Sequence, residues 1–314
     1  MVSTSKQGEQ TTSTLFGILC GLGAVAMWAA YLAYARAGIK AGLQPQDLLL
    51  LRYGVAGLVM LPWMLRAGFR DLGGVGWMRG TLLAIFAGPI FVLLGTSGFL
   101  FAPLSHGAVI QPSTATLVTM LLGWFVLKEQ VSLIRAIGTI LLISGLAIVA
   151  SRSVGGAVDH PLAWIGDSLF FLGGLFWVGF TLCLRRWSVN AVAATASVSI
   201  LSAAAVVPLF VLLQDFGRLA VLPTQDLLAQ LCAQGLGAGV LALIAYAKAV
   251  QLLGAARAAL FPAVVPVSTL LVGIPVTGEI PALPEAIGAL LASLGLAVAL
   301  GVLDPILSSR KQKS

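Results

Sequence analysis

Apolar residues in this chain form serial blocks of about 20, separated by short stretches that contain proline, glycine or charged residues. A helix of about 20 apolar residues is long enough to cross a hydrocarbon core about 30 Å thick. Strands of a membrane barrel would instead give segments of about 10 residues with alternating polarity. The pattern therefore predicts an all-α integral membrane protein. Ten transmembrane helices are predicted, at about residues 15–36, 47–66, 76–98, 104–127, 132–151, 162–184, 189–213, 227–250, 256–277 and 284–303.

The chain also repeats itself. A shift of 150 residues superposes Ala108 on Ala258, Pro112 on Pro262, Thr119 on Thr269, Leu121 on Leu271, Gly123 on Gly273, Glu129 on Glu279, Gly138 on Gly288, Leu141 on Leu291 and Gly145 on Gly295. A shift of 149 superposes Gly17 on Gly166, Trp28 on Trp177 and Arg36 on Arg185. Each copy holds five helices, an odd number, so the two copies enter the membrane from opposite sides. This is an inverted repeat, the construction that many secondary transporters use.

The domain organisation follows from the repeat. We predict a cytoplasmic N-terminal tail over residues 1–14, a first five-helix repeat over 15–151, a linker over 152–161, a second five-helix repeat over 162–303 and a basic tail over 304–314. The first apolar block has no A-x-A cleavage pattern, which favours a transmembrane helix over a signal peptide.

Composition and charge support the membrane interpretation. The chain has 59% hydrophobic and 9% charged residues, whereas charged residues make up about 25% of soluble domains. The net charge of +7 does not indicate a nucleic-acid partner, because the sequence predicts no soluble domain to present a basic face. Of the 18 Lys and Arg residues, 12 fall on the side of the N-terminus and 4 on the opposite side. The positive-inside rule then places both termini in the cytoplasm.

Sequence patterns of enzymes and metal sites are missing. The stretch "GLGAG" at Gly235 to Gly239 follows no predicted strand, so it is not read as a nucleotide-binding loop. The sequence has no HExxH, GxSxG or P-loop pattern, and its two histidines and three dispersed cysteines suggest no metal cage. We therefore expect no cofactor, no metal and no enzymatic activity.

Polar residues that occur in only one half require an explanation other than folding. Gln111, Ser113 and Thr114 correspond in the repeat to Phe261, Ala263 and Val264. At 1.5 Å per residue they lie roughly 10–15 Å into their helix, close to the midplane. Polar groups at that depth need a partner or a wet cavity, which predicts substrate binding. Alternatively, the serine and threonine bond back to their own helix.

Two other one-sided groups lie nearer the ends of helices. His106 and Asp167 are at similar depth on the outer side, where they are predicted as a proton-exchange pair or, alternatively, as solvated rim residues. Lys248, near the inner end of its helix, is predicted to neutralise a substrate carboxylate or to extend to the interface.

Several aromatic residues are candidates for a cavity wall. Trp28 and Trp177 occupy equivalent positions well inside their spans, although tryptophan prefers the membrane interface. The two tryptophans are predicted to line a cavity or, alternatively, to pack in the core. Tyr31 and Tyr246 are further candidates for the cavity wall, and the alternative is an ordinary position at the membrane interface.

Features present in both halves are interpreted as scaffold. Glu129 and Glu279 each lie a few residues before the start of a predicted helix. The positive end of the helix dipole stabilises a carboxylate at such a position. Four glycines spaced by seven are predicted packing residues: Gly138, Gly145, Gly288 and Gly295. Arg52 is also read as scaffold, with a side chain that reaches toward Asp47.

Four segments, in this order and duplicated, are similar to a known family: "MWAAYLAYA", "LLLLRYGVAGLVMLP", "VTMLLGWFVLKEQVSLIRAIGTILLISGLAIV" and "PAVVPVSTLLVGIPVTGEIPALPEAIGALLASLGLAV". They resemble the drug/metabolite transporter superfamily, specifically its EamA-type ten-helix exporters. One departure is that the family's proline thirteen residues before the glutamate is kept as Pro266 but replaced by Thr116 in the first half.

The resemblance implies a secondary transporter of the cell inner membrane that exports small organic metabolites, such as amino acids or related amphipathic compounds, by alternating access. It also implies that the first and sixth helices line the pathway. The expected partners are a small-molecule substrate and the bilayer, and a monomer is compatible with this interpretation. The alternative is an integral membrane enzyme or sensor without a soluble domain.

Overall fold

The computed structural model describes residues 2–125, 132–154, 161–214, 216–258 and 260–300. Every regular element in these ranges is helical. The helices are α1 (Val2–Lys40), α2 (Pro45–Ala67), α3 (Trp77–Ala87), α4 (Pro89–Gly98), α5 (Leu104–Phe125), α6 (Leu133–Val154), α7 (Ala163–Trp187), α8 (Ala191–Leu213), α9 (Gly217–Ala220), α10 (Thr224–Gln230), a π-helix (Leu231–Leu241), α11 (Ala242–Leu253), α12 (Ala255–Ala258), α13 (Leu260–Thr277) and α14 (Leu283–Ala299).

Among the described residues, eight spans are long and apolar enough to cross a membrane, and two of them are composed of more than one helix: Trp77–Gly98 and Thr224–Leu253. Leu283–Ala299 is a shorter apolar helix, and α5 carries the polar cluster identified in the sequence. The predicted all-α membrane fold is confirmed, and the count of ten helices stays a prediction. We call the side that carries the α1–α2 and α13–α14 connections the outer side, following the orientation predicted from charge.

The two halves are interleaved and do not pack as separate bodies. Helix α1 of the first half packs against α11 and α13 of the second, and α7 of the second half packs against α4 and α5 of the first. Because α1 corresponds to α7, α11 to α4 and α13 to α5 in the repeat, these contacts are related by pseudo-two-fold symmetry. Equivalent helices also meet directly, α2 with α8 and α6 with α14. The contacts are those expected of an inverted repeat.

Glycines allow α6 and α14 to approach closely. A Cβ added to Gly145 would lie 2.6 Å from the Ala292 nitrogen, and one added to Gly295 would lie 2.7 Å from the Leu142 Cα. Backbone atoms cannot move aside as a flexible side chain can, so these positions accept only glycine. The prediction that the repeated glycines are packing residues is confirmed for this helix pair.

Two spans in corresponding positions of the two halves are irregular. Gly88 separates α3 from α4, and the free carbonyl of Ala87 accepts a hydrogen bond of 2.9 Å from the Tyr53 hydroxyl. The repeat places residue 88 opposite residue 238, which lies inside the π-helix. The stretch "GLGAG" is part of that π-helix, so it is not a nucleotide-binding loop. Irregular backbone at matching positions of an inverted repeat is typical of a transporter binding site.

The π-helix is held to α1 by two buried amide side chains. Gln230 Nε2 donates to the Tyr34 carbonyl over 2.6 Å, and Gln234 Nε2 donates to the Tyr31 carbonyl over 3.3 Å. Gly235 lies directly against Val55 of α2. The irregular segment is therefore tied to both α1 and α2, next to the aromatic side chain of Tyr31.

Candidate functional site

A cavity of about 440 Å³ lies between helices of both halves. One end of its wall is formed by Leu184 and Ala191, beside the α7–α8 turn, and its wall includes Arg52 of α2. Five of the residues predicted from sequence line it: Trp28, Tyr31, Gln111, Trp177 and Tyr246. The wall is mainly apolar and aromatic with few polar groups, which is the usual composition of a site for a small organic molecule.

Two aromatic clusters line the cavity, one around each of the two tryptophans that the repeat relates. The rings of Trp28 and Tyr246 are 5.4 Å apart. Trp177, the repeat mate of Trp28, lies 5.2 Å from Phe91 and 5.0 Å from Phe180. Both tryptophans therefore lie on the cavity wall, which explains their position deep in their spans. Their rings offer stacking surfaces to an apolar or aromatic ligand.

Gln111 is the polar residue of the α5 cluster that lies on the wall, and glycines make room for it. The residue is 7% exposed. A Cβ added to Gly95 would lie 3.2 Å from Gln111 Oε1, and one added to Gly173 would lie 3.1 Å from Gln111 Nε2. The amide is thus confined between α4 and α7. It is held in place by packing, which suits a group that recognises a ligand.

Three predicted binding residues lie away from the wall. Ser113 is fully buried with its hydroxyl oxygen unpaired within the described ranges, and it is turned by about 200° from Gln111 around the helix. Thr114 is 1% exposed and its Cβ packs against Gly174 of α7. Lys248 is exposed, and its Nζ donates to Gln251 Oε1 over 2.9 Å. None of the three is among the described residues that line this cavity, and their substrate contact stays a prediction.

The sequence predicts that Arg52 reaches toward Asp47, and the structure corrects that partner. Asp47 instead pairs with Arg218, whose Nε and Nη2 donate over 2.7 and 3.1 Å. Arg52 lies on the cavity wall, 8% exposed, with its guanidinium carbon 4.7 Å from the centre of the Tyr31 ring and 5.8 Å from that of Tyr53. The sequence offered one signal for this position: Arg52 lies inside a predicted span, and an ionisable residue there indicates a functional site by default.

An ion-pair network occupies the outer side. Arg36 Nε donates to Glu279 Oε1 over 2.6 Å, and Lys40 Nζ lies 3.7 Å from the same oxygen. Glu279 Oε2 accepts from the Leu104 amide over 3.0 Å, and Arg36 also donates to the Phe99 carbonyl. This network joins α1, the end of α4, the start of α5 and the α13–α14 connection.

The network corrects one scaffold interpretation. Glu279 bonds the first amide of α5, and not the start of α14. Glu285 instead accepts from the Ala282 amide at the start of α14, over 3.2 Å. Glu129, the repeat mate of Glu279, lies outside the described residues.

His106 lies in a second outer cluster. Its Nδ1 is 2.7 Å from Asp167 Oδ1 and 3.2 Å from the Ser153 hydroxyl, and its Nε2 is 3.9 Å from Glu285 Oε1. Ser105 donates to Glu285 Oε2 over 2.9 Å. His106 is completely buried, so the alternative of a solvated rim residue is wrong for it. An imidazole between two carboxylates is an arrangement that can accept and release a proton.

An outer depression of about 370 Å³, lined by Arg36, Glu279 and Glu285 among others, shares no lining residue with the cavity. The ion-pair network and the His106 cluster lie at this outer side, and the cavity extends in the opposite direction to the α7–α8 turn.

Comparison with known proteins gives one family and one fold. The model of the EamA-like transporter family matches residues 15–151 and again residues 164–301. A solved structure described only as the crystal structure of a protein is 20% identical, with a TM-score of 0.60, over 97% of this chain and 99% of that one. In total, 25 chains of solved structures match. No curated protein matches.

Proposed function

The chain belongs to the EamA-like transporter family of the drug/metabolite transporter superfamily, and from that premise we propose that it exports small organic metabolites across the cell inner membrane. The substrates are amino acids or related amphipathic compounds, and the mechanism is secondary transport by alternating access. The observation that carries this proposal is the cavity that both halves enclose, with irregular backbone at matching positions of the repeat.

Export requires a site that loads from the cytoplasm. The cavity extends to Leu184 and Ala191 at the α7–α8 turn, which the charge distribution places inside. The outer side is occupied by ion pairs that join the two halves. This conformation suits loading of a cytoplasmic substrate, and breakage of the outer hydrogen bonds between Glu279 and Leu104 and between Arg36 and Phe99 then releases it outside.

The moving bodies are not the two sequence repeats. Because α1, α11 and α13 pack together and α4, α5 and α7 pack together, each group mixes helices from both halves. We propose that these two mixed bundles rock against each other around the cavity. Pro112 lies inside α5, and Pro262 and Pro266 lie inside α13, so these helices provide the flexible points.

Proton coupling is proposed for the His106 cluster. In neutral His106 the Nδ1–H group can already donate to Asp167, and protonation at Nε2 would bring a positive ring close to Glu285. The three residues come from α5, α7 and α14, so a change in the charge of the ring alters the attraction between three helices. Such a pair can link proton uptake to helix movement.

Counterflow in proteoliposomes tests the proposed function. Purified protein is reconstituted with an unlabelled mixture of amino acids and other small carboxylates inside, and uptake of each labelled solute is followed. A transporter exchanges at least one labelled solute faster than protein-free liposomes. A membrane enzyme or sensor, the alternative, gives no exchange.

A further inference from the structure

Arg52 is the one charged side chain among the described residues that line the cavity. It lies on α2 next to the π-helix, since the Gly239 Cβ position is 3.9 Å from the Arg52 carbonyl oxygen. The other wall residues are apolar, aromatic or uncharged polar side chains. A positive charge therefore faces a small apolar chamber.

Six acidic side chains in the described ranges do not neutralise this charge. Asp47, Asp167 and Glu279 have partners of their own, Arg218, His106 and Arg36 respectively. The remaining described carboxylates also lie off the cavity wall: Asp71, Asp226 and Glu285. Within the part of the chain that the structure describes, Nε and Nη1 of Arg52 are buried without a hydrogen-bond partner.

An uncompensated buried cation is unfavourable in the empty cavity. A guanidinium taken out of water loses solvation that the protein must replace. Cation–π attraction to the rings of Tyr31 and Tyr53 compensates part of the lost solvation free energy. They leave the N–H groups of Nε and Nη1 without an acceptor, so the guanidinium is fully satisfied only when an acceptor enters the cavity.

We propose that Arg52 binds the carboxylate of the transported molecule, and that the substrates are small amphipathic carboxylates. This inference rests on the proposed transport function. The planar guanidinium presents paired N–H donors that match a carboxylate. The rings of Trp28, Tyr246 and Trp177 then contact the apolar body of the molecule. The carboxylate role that the sequence suggested for Lys248 thus belongs to Arg52.

Three probes of equal size but different charge test the inference. They are 3-phenylpropanoate, 3-phenylpropanamide and 3-phenylpropylamine, titrated calorimetrically into the full-length protein in phosphatidylcholine nanodiscs. We expect the wild-type protein to bind the carboxylate about tenfold more tightly than the amide, because a charge-assisted hydrogen bond replaces a neutral one. The amine is expected to bind most weakly.

Substitution of Arg52 tests whether this residue causes the preference for the carboxylate over the amide. In Arg52→Gln the carboxylate and amide are expected to bind equally, and in Arg52→Lys part of the preference is retained. Arg79→Gln is the matched control: Arg79 also lies over an aromatic ring, 5.8 Å from Trp187, but off the cavity wall. Equal binding of carboxylate and amide by the wild type overturns the inference, and so does a preference that survives in Arg52→Gln or the absence of saturable carboxylate binding.

The wild-type comparison decides the question even where Arg52→Gln does not fold. Failure of this inference is also distinct from failure of the proposed function. A wild-type protein that exchanges the amide as fast as the carboxylate in counterflow contradicts carboxylate recognition and leaves transport established. A protein that exchanges no solute contradicts transport itself.

Discussion

Arg36 Nε donates a hydrogen bond of 2.6 Å to Glu279 Oε1, although the two residues are 243 positions apart. Arg36 lies one turn before the end of α1 in the first half, and Glu279 lies between α13 and α14 in the second. Glu279 also accepts from the Leu104 amide at the start of α5. This one carboxylate therefore connects the mixed bundles at their outer side, and its loss favours outward opening.

Glu279→Gln is expected to raise the outward-open population about tenfold. The substitution removes a charge-assisted hydrogen bond at a site that is only partly exposed, and a bond of this kind contributes about 1.5–3 kcal/mol. The measurement is labelling of Ala115→Cys, on the cavity wall, by a membrane-impermeant thiol reagent added outside a variant that lacks Cys20, Cys183 and Cys232. Asp71→Asn, which removes an exposed carboxylate, is the control, and an unchanged labelling rate in Glu279→Gln contradicts this role of the Glu279 carboxylate.

Gly173→Ala is expected to weaken substrate binding without a change of charge or polarity. The new methyl group would lie 3.1 Å from Gln111 Nε2, so the amide has to move away from its position on the wall. We expect a rise in the counterflow KM of about tenfold, similar to that of Gln111→Leu. Gly23→Ala is the matched control, because a Cβ there meets nothing within 4 Å. Unaltered kinetics in both Gly173→Ala and Gln111→Leu would remove Gln111 from the site.

Arg52→Met is expected to stabilise the empty protein while it abolishes carboxylate binding. Replacement of a buried ionic group by an apolar one of similar volume is often stabilising, by about 1–4 kcal/mol, and the lost cation–π attraction offsets about 0.5–2 kcal/mol of that gain. A thermal unfolding scan without ligand should show an equal or higher Tm. A lower Tm would show that Arg52 serves the scaffold.

A pH gradient is expected to change the flux of the wild type and to leave that of His106→Gln and Asp167→Asn unchanged. Either substitution breaks the 2.7 Å contact between His106 and Asp167, through which the charge of the imidazole changes the attraction between α5 and α7. Flux is measured in proteoliposomes at equal and at unequal pH, with Asp71→Asn as the control. If both variants still respond to the gradient, the proton moves elsewhere or transport is not coupled to protons.

The sequence alone predicted the membrane helices because length and hydrophobicity are local properties. A block of about 20 apolar residues has one low-energy arrangement in a bilayer, whatever its neighbours are. The repeat likewise needed only identity at a fixed spacing. It also separated Gln111 from the scaffold, since the second half has Phe261 at the equivalent position and folds without a polar group there.

Only the tertiary structure decided which side chains meet. Depth in the membrane follows from position along a helix, but the direction of a side chain depends on how that helix is rotated against others. Gln111 and Ser113 have similar depth, and rotation alone places the first on the cavity wall and the second in the protein interior. Asp47 lies close to Arg52 in sequence yet pairs with Arg218, 171 residues away, which leaves Arg52 free to face the cavity. The sequence thus determined the helices, their order along the chain and the duplication, and long-range packing between interleaved halves determined the candidate site.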